Sequence, residues 1–195
     1  MLSERKEKFK KIENKVGEIL GKFLTPNQYT LISLGFALIC FYFLISQDLI
    51  KALIFFSLAA VLDFIDGAVA RFLKLETKRG AYLDTICDRY VEAIIWLGFL
   101  FLPLPKIILP SFFWIFLAFF GSLMTTYAKA AAKEKELVKI ELKKGLIGRG
   151  ERMILMFLAL CLGVFNLAWL LYLIIVLAVL SNLTALERIS LVLKD

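Results

Sequence analysis

The sequence predicts an all-α integral membrane protein: an N-terminal amphipathic interfacial helix followed by six transmembrane helices. Of its 195 residues, 61% are hydrophobic, against roughly 45–50% in a soluble domain, and the mean hydropathy is +0.81. A chain of this length has too little interior to hide so much apolar surface, so a second apolar medium, the bilayer, is needed. The apolar residues also fall into six runs, each near the ~20 residues of a spanning helix, with most charges between them. Two segments follow: 1–24 as a helix on the cytoplasmic face and 25–195 as a six-helix transmembrane domain carrying the chemistry.

In the first segment, Phe9, Ile12, Val16, Ile19, Leu20 and Phe23 recur at three- and four-residue intervals, leaving Arg5, Lys6, Lys8, Lys10, Lys11 and Lys15 on the other faces. That is the pattern of a basic helix lying in the interface plane, whereas a signal peptide would carry a continuous apolar run. The six spans are expected at about 27–47, 49–73, 81–103, 107–131, 151–166 and 168–190. Gln47-Asp48 and the proline-bearing stretch 102–106 connect them on one side, and the charged segments 74–80 and 132–150 on the other. Lys51 and Lys106 are the cations of the first side, while the N-terminal segment and both charged loops are rich in Lys and Arg. The positive-inside rule therefore places both termini and both long loops in the cytoplasm. The net charge of +7 is accounted for by this orientation, and no nucleic-acid partner is expected.

The chain has no His, so acid–base or metal chemistry falls to carboxylates, Lys, Cys or Tyr. Cys40, Cys87 and Cys161 are far apart in apolar runs and form no disulfide framework or spaced metal set. The acids are more informative. Asp63 and Asp66 lie near the inner end of the second span, Asp84 and Asp88 near the inner start of the third. Gaps of three and four residues put each pair on one helix face, and the short loop between the spans brings the faces together. Charged groups inside membrane helices cost at least about 2.5–3.5 kcal/mol each, and four converging carboxylates repel unless cations hold them. Oxygen-only donors suit Mg²⁺, Mn²⁺ or Ca²⁺, and a pair of divalent ions sharing carboxylates serves phosphoryl chemistry. Gly67, Ala70 and Gly80 keep the backbone open beside the acids, and Arg71 offers a guanidinium fork for phosphate oxygens. A plain set of helix–helix ion pairs with Arg71, Lys78, Arg79 and Arg89 is the competing structural reading.

Asp63, Asp66, Gly67, Ala70, Arg71, Gly80, Asp84 and Asp88 stand at the spacing of the CDP-alcohol phosphotransferase signature, and the sequence resembles that family without a departure. The resemblance implies transfer of a phosphatidyl-type group from a CDP-linked lipid to an alcohol with release of CMP, by a homodimer in the cell membrane whose site faces the cytoplasm. It implies two divalent ions, Mg²⁺ or Mn²⁺, on Asp63, Asp66, Asp84 and Asp88, with Asp88 also taking the proton of the acceptor hydroxyl. Asp66, Gly67, Ala70, Arg71 and Gly80 would line the CDP pocket. Thr25-Pro26-Asn27 resembles a segment seen in several members, so Thr25 and Asn27 are either nucleotide contacts or a helix start.

For the acceptor, Lys129, Arg149 and Arg152 would suit an anionic alcohol such as a sugar phosphate. Their segments, Tyr127-Ala-Lys129 and Gly148-Arg149-Gly150-Glu151-Arg152, are similar to those of the phosphatidylinositol-phosphate synthase branch, which accepts inositol 1-phosphate, although Gly148 and Gly150 depart from its pattern. The same cations also satisfy the positive-inside rule alone. Other acceptors within the reaction are glycerol phosphates, serine and inositol. The Lys- and Glu-rich loop resembles hyperthermophile composition, which would make the lipid CDP-archaeol rather than CDP-diacylglycerol. From a different class, intramembrane carboxylates also suit an ion transporter, and a structural membrane-interaction protein is a third reading.

Overall fold

The computed structural model describes residues 13–138 and 145–194. Among them are seven helices: α1 over 13–20, α2 Pro26–Ile45, α3 Leu49–Phe72, α4 Lys78–Phe99, α5 Ser111–Glu134, α6 Arg149–Phe165 and α7 Leu167–Lys194. Phe9, Ile12 and the cations from Arg5 to Lys11 of the expected basic helix lie outside the described residues, as does 139–144 of the charged loop. By length and composition α2, α3, α5 and α7 are able to cross a membrane. The N-terminal half of α4 is charged and α6 has 17 residues, about 25 Å at 1.5 Å per residue.

Among the boundaries that differ from the sequence expectation, two have clear reasons. The fifth helix begins at Ser111 rather than near 107, because Pro103, Pro105 and Pro110 deny the backbone donors and ψ values a helix needs; Ile108 there takes a φ of 60°. Helix α4 begins at Lys78 rather than 81, since Thr77 caps it by accepting the Gly80 N–H at 2.9 Å.

Helices α2, α3 and α5 end alike. Gln47, Lys74 and Glu136 adopt φ of 58°, 54° and 57°, and the next amide in each case reaches back to Phe43, Ala70 or Ala132 at 2.9–3.0 Å, the Schellman closure. After the first of these, Asp48 starts α3: its carboxylate accepts the Lys51 N–H at 3.1 Å and pairs with the Lys51 ammonium at 2.8 Å. That lysine holds the Asp48 carboxyl below the usual carboxylate range.

The chain forms two compact units. One comprises the chain up to Tyr42 with Ile54–Ile95, the other Phe43–Leu53 with Trp96 onward. In the first, Tyr29, Ile65 and Val69 form a buried core against which Val16, Leu20, Leu24 and Leu62 pack. Helix α1 seats closely because Gly17 has no side chain: a Cβ there would lie 2.5 Å from that of Phe72. The Tyr29 hydroxyl donates to Leu20 O at 2.9 Å, and Ser33 on α2 to Ala59 O on α3 at 2.9 Å.

In the second unit α7 packs on both α5 and α6. Leu170, Leu171, Ile174 and Leu177 of α7 are fully buried. Asn182 and Thr184, which form a glycosylation-like Asn-Leu-Thr triplet, have packing roles. The Asn182 amide donates to Leu117 O of α5 at 2.9 Å, and Thr184 accepts the Ile147 N–H at 3.1 Å. Gly121 admits Asn182; a Cβ on it would sit 2.8 Å from the Asn182 backbone nitrogen. Gly121→Ala is therefore expected to destabilise the fold by about 1–3 kcal/mol, read as a lower midpoint of thermal unfolding in detergent.

Candidate functional site

The acidic constellation lies wholly in the first unit. The reversal between α3 and α4 positions it: Lys74 and Leu75 close α3 on Arg71 O and Ala70 O at 3.4 and 3.0 Å, and Thr77 opens α4 on the Gly80 amide. The chain turns within a few residues, so the last turns of α3 face the first turns of α4. One carboxylate oxygen from each of Asp63, Asp66 and Asp84 comes within 4.8 Å of the others. Asp66 is buried, and Asp63 and Asp84 are half-buried. Asp88, one turn along α4 from Asp84, is not part of that group of three.

Three carboxylate oxygens at this spacing, with no nitrogen or sulfur donor in the group, fit a hard divalent cation, whose oxygen ligands lie at roughly 2.0–2.6 Å from the ion. A residue from α2 orients one of them. The Thr30 hydroxyl, itself buried, donates to Asp66 Oδ2 at 2.7 Å, which orients that carboxylate. Thr30 was not singled out from sequence; its signal is that Thr30 and Ser33 are polar residues three apart on one face of an apolar run.

Beside the carboxylates is a cavity of about 160 Å³. Asn27 and Thr30 line it from α2, Asp66, Gly67, Ala70 and Arg71 from α3, and Thr77, Gly80 and Asp84 from the following cap and helix. The expected pocket positions thus surround one space. The glycines keep it open: a Cβ on Gly67 would meet the Arg71 guanidinium at 3.1 Å, and one on Gly80 the Asn27 amide oxygen at 3.3 Å. Thr25 caps α2, its N–H held by the Gln28 side chain at 2.8 Å while Thr25 O accepts the Gln28 N–H at 3.0 Å. Two cations named in the ion-pair reading have glutamate partners, Arg71 with Glu13 at 2.8 Å and Arg89 with Glu92 at 2.6 Å.

Lys129, Arg149 and Arg152 belong to the second unit. Lys129 and Arg149 are half-buried. Arg152 is 1% exposed and donates to Thr125 Oγ1 at 3.2 Å. Arg188 of α7 is 9% exposed and donates to Thr125 O at 2.7 Å. Two guanidiniums thus meet one threonine, in an arrangement that spacing does not reveal because the two lie 36 positions apart. Glu151 accepts the Gly148 N–H at 3.0 Å and caps α6.

The chain belongs to the CDP-alcohol phosphatidyltransferase family, whose profile matches residues 23–183. Its activity is that of the family, transfer of a phosphatidyl group from a CDP-linked lipid to an alcohol. Among individual proteins, an archaetidylinositol phosphate synthase of Pyrococcus horikoshii is 31% identical over 192 residues, 97% of this chain and 95% of that one. A bifunctional IPC transferase and DIPP synthase of Aquifex aeolicus is 34% identical over 196 residues, 95% of this chain and 42% of that protein. The crystal structure of Mycobacterium tuberculosis phosphatidylinositol phosphate synthase with CDP-DAG bound shares the fold, with a TM-score of 0.79 at 23% identity over 93% of this chain and 94% of that one. The same protein in complex with manganese and citrate gives 0.80 at 23% identity over 93% and 88%. Family membership removes the transporter and structural readings.

Thr30→Val preserves shape but removes the donor to Asp66. It is expected to weaken Mn²⁺ binding about ten-fold, measured by calorimetry or by the Mn²⁺ resonance signal, with little change in melting.

Proposed function

We propose that the acceptor is inositol 1-phosphate, and that the product is the corresponding lipid inositol phosphate on an archaeol or diacylglycerol backbone. In this reading α2 to α7 all cross the cytoplasmic membrane, α1 lies on its inner face, the site opens to the cytoplasm and the enzyme is a homodimer. The distribution of Lys and Arg supports the orientation. The similarity to the archaetidylinositol phosphate synthase of Pyrococcus supports the acceptor.

The observation that carries the site assignment is the convergence of the carboxylate group and the glycine-lined cavity. Asp63, Asp66, Asp84 and Asp88 would hold two divalent ions, Mg²⁺ or Mn²⁺. When bound, such ions withdraw charge from the diphosphate and ease departure of CMP. Asn27, Asp66, Gly67, Ala70, Arg71 and Gly80 receive the CDP group, with Thr25 holding the start of α2 behind Asn27. Asp88 accepts the proton of the acceptor hydroxyl as its oxygen bonds to the phosphorus carrying the lipid, while the bond from that phosphorus to the CMP phosphate breaks. A base at hydrogen-bond reach of the hydroxyl makes a poor nucleophile competent. Lys129, Arg149 and Arg152 bind the acceptor's phosphate by charge-assisted hydrogen bonds, and a buried guanidinium is already desolvated for that task.

Purified protein given CDP-archaeol or CDP-diacylglycerol, inositol 1-phosphate and Mg²⁺ is expected to release CMP, and to stop when EDTA removes the ion. Asp88→Asn is expected to lower turnover by about 10²–10⁴ while the protein still binds CDP. Absence of CMP with every acceptor from folded protein would overturn the assignment. Among acceptor variants, Lys129→Ala, Arg149→Ala and Arg152→Ala are each expected to raise KM for inositol 1-phosphate by about 10-fold or more, with KM for the CDP-lipid unchanged. Preference for a neutral alcohol, unaffected by those changes, would show that the acceptor is another.

A further inference from the structure

The ion pair between Glu13 and Arg71 joins α1 to the rim of the cavity. Glu13 Oε1 and Arg71 Nη2 are 2.8 Å apart, with side chains 19% and 50% exposed. Arg71 lies along Gly67, whose missing Cβ leaves room for the guanidinium, and both residues line the cavity. One terminal nitrogen is engaged by the glutamate, which leaves further donors of the five-donor fork for a ligand.

The reach of Glu13 is set by packing. One turn further along, Gly17 meets the α3 backbone and Phe72, and Gly21 meets Leu73. Val16 and Leu20 pack on the Tyr29, Ile65 and Val69 core. The carboxylate is therefore carried by a docked helix rather than by a loose end. An arginine at the end of a long flexible side chain pays side-chain entropy on binding a phosphate, and a fixed partner reduces that cost.

We infer that Glu13 is a positioning residue for the nucleotide site: it holds the Arg71 guanidinium over Gly67 in readiness for the phosphates of the CDP group. This makes the interfacial helix a working part of the site as well as an anchor. The inference rests on the reading of Arg71 as a CDP contact.

The test is CDP binding to the purified full chain in detergent with Mn²⁺, by calorimetry, for wild type, Glu13→Ala, Glu13→Gln, Arg71→Ala and the Glu13→Ala/Arg71→Ala double variant. Glu13→Ala is expected to weaken CDP binding by about two- to five-fold, as for a partly exposed ion pair, with an unchanged melting midpoint, and Glu13→Gln by less. In the Arg71→Ala background the loss of Glu13 should have no further effect. Wild-type CDP affinity in Glu13→Ala, while Arg71→Ala is impaired, overturns the inference and leaves the pocket reading standing. Additive losses in the double variant also overturn it, since Glu13 would then act apart from Arg71. Tighter binding in Glu13→Ala overturns it too, by showing that the glutamate competes with phosphate. If Arg71→Ala itself binds CDP like wild type, the pocket reading fails first.

Discussion

The reversal between α3 and α4 is the constraint on which the site depends. Asp63 and Asp66 belong to a helix arriving at the turn, Asp84 and Asp88 to one leaving it. Asp63, Asp66 and Asp84 converge because the Schellman closure at Lys74 and the Thr77 cap return the chain over a short span. A longer or looser loop would let the carboxylates move apart to relieve their repulsion. Lys74 takes the left-handed conformation without being glycine, so the backbone accepts a local cost there. The geometry of the acids is the compensating gain.

Within each of the two units, helices approach closely at glycines. Gly17, Gly98, Gly121 and Gly163 each stand where a Cβ would fall within 2.4–2.6 Å of a neighbouring side chain. In a bilayer, lipid tails are as apolar as leucine, so helices associate through such small-residue contacts and through hydrogen bonds across them. Ser33 to Ala59 O and Asn182 to Leu117 O are bonds of that kind, each donated by a side chain that would otherwise be costly in hydrocarbon.

Much of the site was legible in the sequence because its signals are local. Fixed spacing along two adjacent helices places carboxylates and small residues on known faces, and the structure sets Asn27, Asp66, Gly67, Ala70, Arg71, Gly80 and Asp84 around one cavity. Thr30, Glu13 and Arg188 were not legible as partners. Each acts through a residue distant in sequence: Asp66 for Thr30, Arg71 for Glu13, Thr125 for Arg188. Periodicity reports the face of a helix, but not what another helix puts against that face.

By itself, the sequence determined the apolar runs, the uneven distribution of charge between them and the family reaction, because hydropathy, charge bias and an ungapped motif are properties of residues in order. The tertiary structure decided which oxygens approach, which threonine orients Asp66, and which cations are engaged by glutamates. Those outcomes depend on distances between segments far apart in the chain, set by turn geometry and by how closely glycine lets two backbones pack.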